Sequence, residues 1–244
     1  MAISRQQKLT IIALLFYWST LFILTHIPIP QIFFGKILPS DKTLHYLAYL
    51  VLSFLLWFAI GAGKKVNWRK AAVWLVLFVV VWYGVFDEWL QGYVGRSPDI
   101  KDFFADVGGA VSGLILLSVF SFWPASLVLT GAVIFVLTNF MQAGLAELLP
   151  VISAAFYLFG YAFFSLIWTR YMYHCLPIRA PQLKWLAGAL TVPVGFLSTV
   201  ELFCVVVGNG LNILHIVISA VGIIAVVIAI YLTALFCPSL TEEL

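Results

Sequence analysis

Long apolar runs separated by short polar segments fill almost the whole chain. Eight runs are long enough to cross a membrane as helices, near 9–26, 44–61, 70–86, 102–122, 125–140, 150–170, 184–206 and 211–236. A spanning helix needs about 20 mostly apolar residues, since each backbone polar group must be satisfied inside the helix. The pattern predicts an all-α fold, a polytopic bundle of about eight transmembrane helices.

Composition strengthens this prediction. Hydrophobic residues make up 64% of the chain and charged residues only 9%, whereas soluble domains contain about 45–50% apolar residues. Little chain is left for a soluble domain. The net charge of +3 is therefore interpreted as a topology signal, and no nucleic-acid partner is predicted.

The first apolar run is predicted to be a spanning helix rather than a cleaved signal peptide. It follows Arg5 and Lys8 but ends in Thr25-His26-Ile27-Pro28, which lacks a small-residue cleavage site. With a cytoplasmic N-terminus, the basic residues on the cytoplasmic side are Arg5, Lys8, Lys64, Lys65, Arg69, Lys70, Arg170, Arg179 and Lys184. The positive-inside rule then predicts that both termini are cytoplasmic.

In this topology most acidic residues gather at the outer membrane edge: Asp41, Asp87, Glu88, Asp99, Asp102, Asp106, Glu147 and Glu201. Several belong to one short stretch, 87–106, between the third and fourth apolar runs. The stretch is thus predicted to face away from the cytoplasm.

The chain also matches itself at a shift of about 111 to 113 residues. The segment 39–57 overlays 150–168, and Glu88 falls on Glu201. The match predicts two parallel four-helix repeats, 1–123 and 124–244. In this alignment the second repeat replaces the polar residues of the first: Asp41 by Ile152, His45 by Phe156, Arg96 by Asn209, Asp102 by His215 and Asp106 by Ser219.

Two segments of the first repeat carry candidate chemistry at helical spacing. Asp41, His45 and Tyr49 recur at i, i+4 and i+8, so they share one face of a helix. Helix capping by Ser40 and Asp41 is a sufficient alternative explanation for the acid.

In the third run, Gln91 is one helical turn after both Asp87 and Glu88. A helix end that simply reaches water would also account for these residues. Next, Ser97-Pro98-Asp99 is typical of a helix start, with Ser97 as the N-cap and Asp99 favourable to the helix dipole.

Asp102 and Asp106 lie one turn apart on the fourth helix, and Asp106 lies deeper in the membrane. Ionisable groups at such depth are costly and usually face a bundle interior. Gly109 and Gly113 continue nearly the same face as a G-x-x-x-G pattern, which favours close approach of a neighbouring helix. Arg96 is predicted to neutralise the acids or to contact a phosphate or carboxylate.

These motifs together resemble the VanZ-like membrane proteins, whose namesake is associated with teicoplanin resistance. The resemblance covers roughly 10–122. It implies a polytopic protein of the bacterial cytoplasmic membrane and cell envelope, and its motif positions correspond to Asp41, His45, Glu88, Gln91, Arg96 and Asp102. Asp106 is a departure, because the family more often has Asn there.

The leading hypothesis is a non-enzymatic protein that binds an envelope lipid or lipid-linked head group, anionic or polyprenyl-linked, in an outward-facing pocket. The candidate site residues are Asp41, His45, Asp87, Glu88, Gln91, Arg96, Asp102 and Asp106, and no cofactor is predicted. A transporter or flippase is the second hypothesis, favoured by the repeat. The third is a metal-dependent lipid-phosphate enzyme, since carboxylates can hold a divalent cation.

Overall fold

The structure, a computed structural model, describes residues 5–26, 41–61, 64–94, 99–142 and 149–237. These residues form eight helices: α1 (Arg5–His26), α2 (Asp41–Gly61), α3 (Ala71–Gln91), α4 (Ile100–Val119), α5 (Phe122–Phe140), α6 (Pro150–Cys175), α7 (Leu183–Val207) and α8 (Ile213–Phe236). All eight are long and apolar enough to span a membrane. The predicted all-α architecture is confirmed.

Many large apolar side chains on these helices point away from the protein. Phe16 is 75% exposed and Trp82 is 58% exposed. So many exposed large apolar side chains would be unfavourable in water. Lipid tails are as apolar as these side chains, so the exposure fits helices surrounded by a bilayer. The chain is a multi-pass membrane protein.

The helices divide into two compact units, Met1–Ala125 and Ser126–Leu244. In the first unit α2 packs mainly on α4, and α1 and α3 also contact α2. The two glycines predicted to allow close approach lie at the α2–α4 contact. A Cβ atom on Gly109 would lie 2.1 Å from the Tyr46 carbonyl oxygen, and one on Gly113 would lie 2.2 Å from Ser53 Oγ.

One end of the first unit is tied together by the basic loop before α3. Val66 N–H donates to the Leu117 carbonyl at 3.0 Å, and Trp57 Nε1 donates to the Lys64 carbonyl at 2.7 Å. The end of α2, the start of α3 and the end of α4 therefore lie together. Because successive helices run in opposite directions, the end of α3 and the starts of α2 and α4 meet at the other end.

In the second unit α6 packs mainly on α8, and α7 contacts both. Here a Cβ atom on Gly222 would lie 2.4 Å from the Leu158 carbonyl oxygen. This contact is the counterpart of Gly109 against Tyr46, and it supports the predicted repeat. It also moves the register of the second helix by one residue, so that Tyr157 rather than Phe156 corresponds to His45.

The start of α4 differs from the prediction. The N-cap is Asp99, whose carboxylate accepts the Lys101 N–H at 2.9 Å, and the helix begins at Ile100. Ser97 was the wrong N-cap for this helix, because the Asp99 side chain satisfies the free backbone donor. The predicted capping role of Asp99 itself is confirmed. Ser97 and Pro98 lie outside the described residues.

Candidate functional site

Polar side chains from four helices meet at one end of the first unit. We call this set the polar cluster; its members are Thr25, His26, Lys42, His45, Asp87, Glu88, Gln91, Asp99, Asp102 and Asp106. The helix ends that carry them meet because the four helices alternate in direction. The prediction that the acids of 87–106 lie close together is confirmed for Asp87, Glu88, Asp99, Asp102 and Asp106.

Asp87 joins the ends of α1 and α3. Its Oδ1 accepts a hydrogen bond from the Thr25 hydroxyl at 2.8 Å, and its Oδ2 accepts one from Gln91 Nε2 at 2.9 Å. His26 Nδ1 lies 3.7 Å from Asp87 Oδ1. Both oxygens of this buried carboxylate are therefore occupied, which assigns Asp87 and Gln91 a role in holding the cluster together.

Glu88 connects α3 to the start of α4. Its Oε2 accepts the Asp99 N–H at 3.0 Å. The other oxygen, Oε1, is buried and has no hydrogen-bond partner among the described residues. Only one of the two oxygens of this carboxylate therefore has a hydrogen-bond partner among the described residues.

Lys42 is the cation that pairs with Asp99 and Asp102 in the part of the chain that the structure describes. Its Nζ lies 3.0 Å from Asp99 Oδ2 and 3.1 Å from Asp102 Oδ1. This pairing of Lys42 was not predicted, and Arg96, which was predicted to neutralise these acids or to contact a phosphate or carboxylate, lies outside the described residues. The Lys101 N–H and then the Lys42 ammonium hold the pKa of the Asp99 carboxyl below its usual value.

His45 and Asp106 form the deepest pair. His45 Nδ1 lies 2.9 Å from Asp106 Oδ1, and the two side chains are 5% and 1% exposed. Asp106 Oδ2 is buried without a partner among the described residues. The shared face of His45 and Tyr49 is confirmed, since both are buried towards α3 and α4.

Comparison with known protein families finds a similarity for this part of the chain. Residues 4–121 match the model of the VanZ/LLP1 family. This region is VanZ-like. The predicted resemblance is confirmed over almost all of the first unit. Searches of curated proteins and of solved structures give no match.

Two predicted residues of the VanZ-like region cannot be placed. Arg96 lies outside the described residues, and only the backbone of Asp41 is described, as the first residue of α2. The predicted contacts of both therefore stay predictions. The other six predicted site residues all belong to the polar cluster.

Sequence reasoning missed the contributions of Thr25, His26 and Lys42. Thr25 and His26 had served only to exclude a signal peptide, although two polar residues ending an apolar helix at the acidic edge were a usable signal. Lys42 had been given no role in the candidate site. Its position three residues before His45 placed it near the same helix face.

The second unit holds a weaker polar group in the corresponding place. Gln142 Nε2 lies 3.2 Å from each carboxylate oxygen of buried Glu201. His215 stacks on Tyr157 with ring centroids 4.2 Å apart. In the packing register Glu201 corresponds to Glu88, His215 to Asp102 and Tyr157 to His45. Among the described residues of the second unit, one of these acids is therefore retained and no acid–histidine pair is found.

Proposed function

We propose that the VanZ-like region binds the head group of an envelope lipid or lipid-linked precursor in the polar cluster. The observation that carries the proposal is a pair of buried carboxylate oxygens, Glu88 Oε1 and Asp106 Oδ2, that lack partners among the described residues. Burying such oxygens without a partner is costly. Hydroxyl or amino groups of a bound head group would satisfy them.

Apolar side chains beside the cluster supply a surface for the lipid tail. On α3, Phe86 and Trp89 are 50% and 55% exposed next to Asp87 and Glu88. On α4, Phe104 is 64% exposed between Asp102 and Asp106. A molecule with a polar end and apolar chains can contact both surfaces at once.

The proposal assigns Arg96 to an anionic group of the ligand and the acids to its hydroxyl or amino groups. It places the cluster on the outer face of the bacterial cytoplasmic membrane, with both termini cytoplasmic. By likeness to the family's namesake, such binding would link the protein to resistance to glycopeptides such as teicoplanin.

Lipid analysis of purified protein tests this proposal. We expect mass spectrometry to find one lipid class enriched in the full-length protein after gentle detergent extraction. Arg96→Ala and Asp102→Ala should lose that class. Lys101→Ala should keep it, because Lys101 is exposed on α4. This control removes one positive charge, as Arg96→Ala does. Identical lipid profiles and unchanged teicoplanin sensitivity in all variants would contradict the proposal.

A transporter or flippase is the second candidate function, and one observation favours it. The second unit keeps a buried acid, Glu201, held by Gln142, so polar groups lie within the apolar helices of both units. Buried acids in spanning helices often mark substrate or ion pathways. Movement of a labelled lipid across proteoliposome membranes would support transport, and bound lipid without movement would leave the binding function.

A further inference from the structure

Three buried side chains of the polar cluster converge on one small volume. His45 comes from α2, Glu88 from α3 and Asp106 from α4, and one ligand atom from each lies within 4.8 Å of the others. The three side chains are only 5%, 8% and 1% exposed. We infer that His45, Glu88 and Asp106 form a binding site for one divalent transition-metal ion of the Zn²⁺ or Mn²⁺ type.

The oxygens without partners are the second observation that points to a ligand here. Glu88 Oε1 and Asp106 Oδ2 are buried and accept no hydrogen bond from the described residues. Two carboxylates this close repel each other and lose hydration, which is costly in an apolar bundle. A cation bound between them removes both costs.

The described cation nearby does not meet this need. The Lys42 ammonium is 42% exposed and is already bonded to Asp99 and Asp102 at 3.0 and 3.1 Å. His45 Nδ1 lies 2.9 Å from Asp106 Oδ1, which is not the oxygen that lacks a partner among the described residues. A divalent ion supplies two charges in the space of one atom.

The ligand set indicates which ions fit. One imidazole with two carboxylates suits zinc and manganese, while calcium and magnesium prefer oxygen ligands alone. The group of three side chains contains no cysteine. Tetrahedral zinc bonds of about 2.0–2.2 Å place two ligand atoms about 3.3–3.6 Å apart, so these side chains move inward when the ion binds.

The packing beside Asp106 is close. A Cβ atom at Gly84 would lie 3.2 Å from Asp106 Oδ2 and 3.5 Å from the Tyr49 ring. The absence of a side chain at Gly84 therefore lets α3 pack closely against Asp106. Gly109 holds α2 close to α4, which fixes the distance between His45 and Asp106.

The test is metal content of the full-length protein in detergent or nanodiscs. The affinity tag is removed, because a polyhistidine tag binds the same ions. After chelator treatment, the protein is dialysed against Zn²⁺ or Mn²⁺ and measured by mass spectrometry of the elements. We expect one ion per chain in the wild type and an affinity at least about tenfold lower in Glu88→Gln and Asp106→Asn.

Glu201→Gln is the matched control, since it removes the corresponding buried acid of the second unit and should keep the ion. These substitutions preserve side-chain volume, and a circular dichroism melt of each variant establishes folding. A second readout is thermal: the ion should raise the unfolding temperature of the wild type and of Glu201→Gln only. A wild type without bound ion, or variants that all keep it, would overturn the inference.

The metal inference and the proposed head-group binding assign the same two oxygens, Glu88 Oε1 and Asp106 Oδ2, to different ligands, so metal content and lipid content must be measured together to distinguish them. Lipid content is measured on the same samples. Loss of lipid selectivity with metal retained would contradict the proposed function alone. Absence of metal with selective lipid retention would contradict the metal site alone.

Discussion

In the first unit Gly109 brings α4 against the carbonyl of Tyr46, and in the second Gly222 brings α8 against the carbonyl of Leu158. The helix pairs thus use the same close approach. Around it, the first unit buries Asp87, a His45–Asp106 pair and other acids, whereas in the described part of the second unit Glu201, held by an amide, is the one buried acid. Close helix pairing does not require the charges, so the charges of the first unit call for another explanation.

Ligand binding is the explanation we favour. Buried carboxylates destabilise a membrane bundle unless they are paired, and two oxygens of the first unit are unpaired among the described residues. In the second unit Gln142 donates to both oxygens of Glu201. The contrast is confined to the carboxylates, because other buried polar atoms lack described partners in both units, such as Tyr49 Oη in the first and His215 Nδ1 in the second.

The largest expected effect tests the shared frame. Gly109→Ala and Gly222→Ala should each destabilise the protein by at least about 2 kcal/mol, because the new methyl group collides with a backbone carbonyl that cannot move alone. Gly108→Ala is the control, since its Cβ would lie 3.6 Å from the Tyr46 ring, an ordinary contact. Thermal or detergent-induced unfolding of all three variants measures the difference.

If Gly222→Ala is as stable as Gly108→Ala while Gly109→Ala is destabilised, the two units do not use the same close helix contact. That result would contradict the comparison. Equal destabilisation by Gly109→Ala and Gly222→Ala would support it.

A smaller effect is expected at the contact between α1 and α3 in the first unit. Thr25→Val removes the hydroxyl that donates to Asp87 at 2.8 Å, and should cost about 1 kcal/mol. Thr20→Val is the matched control on the same helix, because the Thr20 hydroxyl donates only to its own helix, at the Phe16 carbonyl. Equal unfolding temperatures of the two variants would mean that the Asp87 contact adds nothing.

The smallest effect concerns pH. The pKa of Asp99 is lower in the folded protein than its ordinary value because the Lys101 N–H and Lys42 stabilise the carboxylate. The contribution of the Asp99 carboxylate to the free energy of unfolding is therefore complete above about pH 4. It is lost as the pH falls through the pKa of Asp99 in the folded protein. The difference in unfolding temperature between wild type and Asp99→Asn should shrink on acidification, and a constant difference would contradict this role.

Several features could be predicted from the sequence alone because each depends on local spacing. Apolar run length set the number of helices, and the four-residue spacing of Gly109 and Gly113 indicated the close helix contact. The i, i+4 spacing of Asp87 and Gln91 allows the hydrogen bond that Gln91 Nε2 donates to Asp87 Oδ2 at 2.9 Å. Such relations lie within one helix, so no tertiary information is needed.

Other features depend on which helices become neighbours, and spacing does not determine that. The bond from Asp99 N–H to Glu88 and the pairing of Lys42 with two acids both cross between helices. The one-residue register change in the second unit also came from packing, since apolar residues align almost equally well in adjacent registers.

The third hypothesis, a metal-dependent enzyme acting on lipid phosphates, depends on the same cluster as the metal inference. A protein without bound metal would therefore remove that hypothesis as well. Head-group binding and transport would be unaffected, because neither requires an ion.

The central claim is that the VanZ-like unit holds the ligand while the second unit keeps only the frame. The most direct test compares lipids retained by the wild type, Glu88→Gln and Glu201→Gln after identical purification. We predict that Glu88→Gln loses the enriched lipid class and Glu201→Gln retains it. Loss in Glu201→Gln with retention in Glu88→Gln, or no enriched lipid in the wild type, would contradict the account.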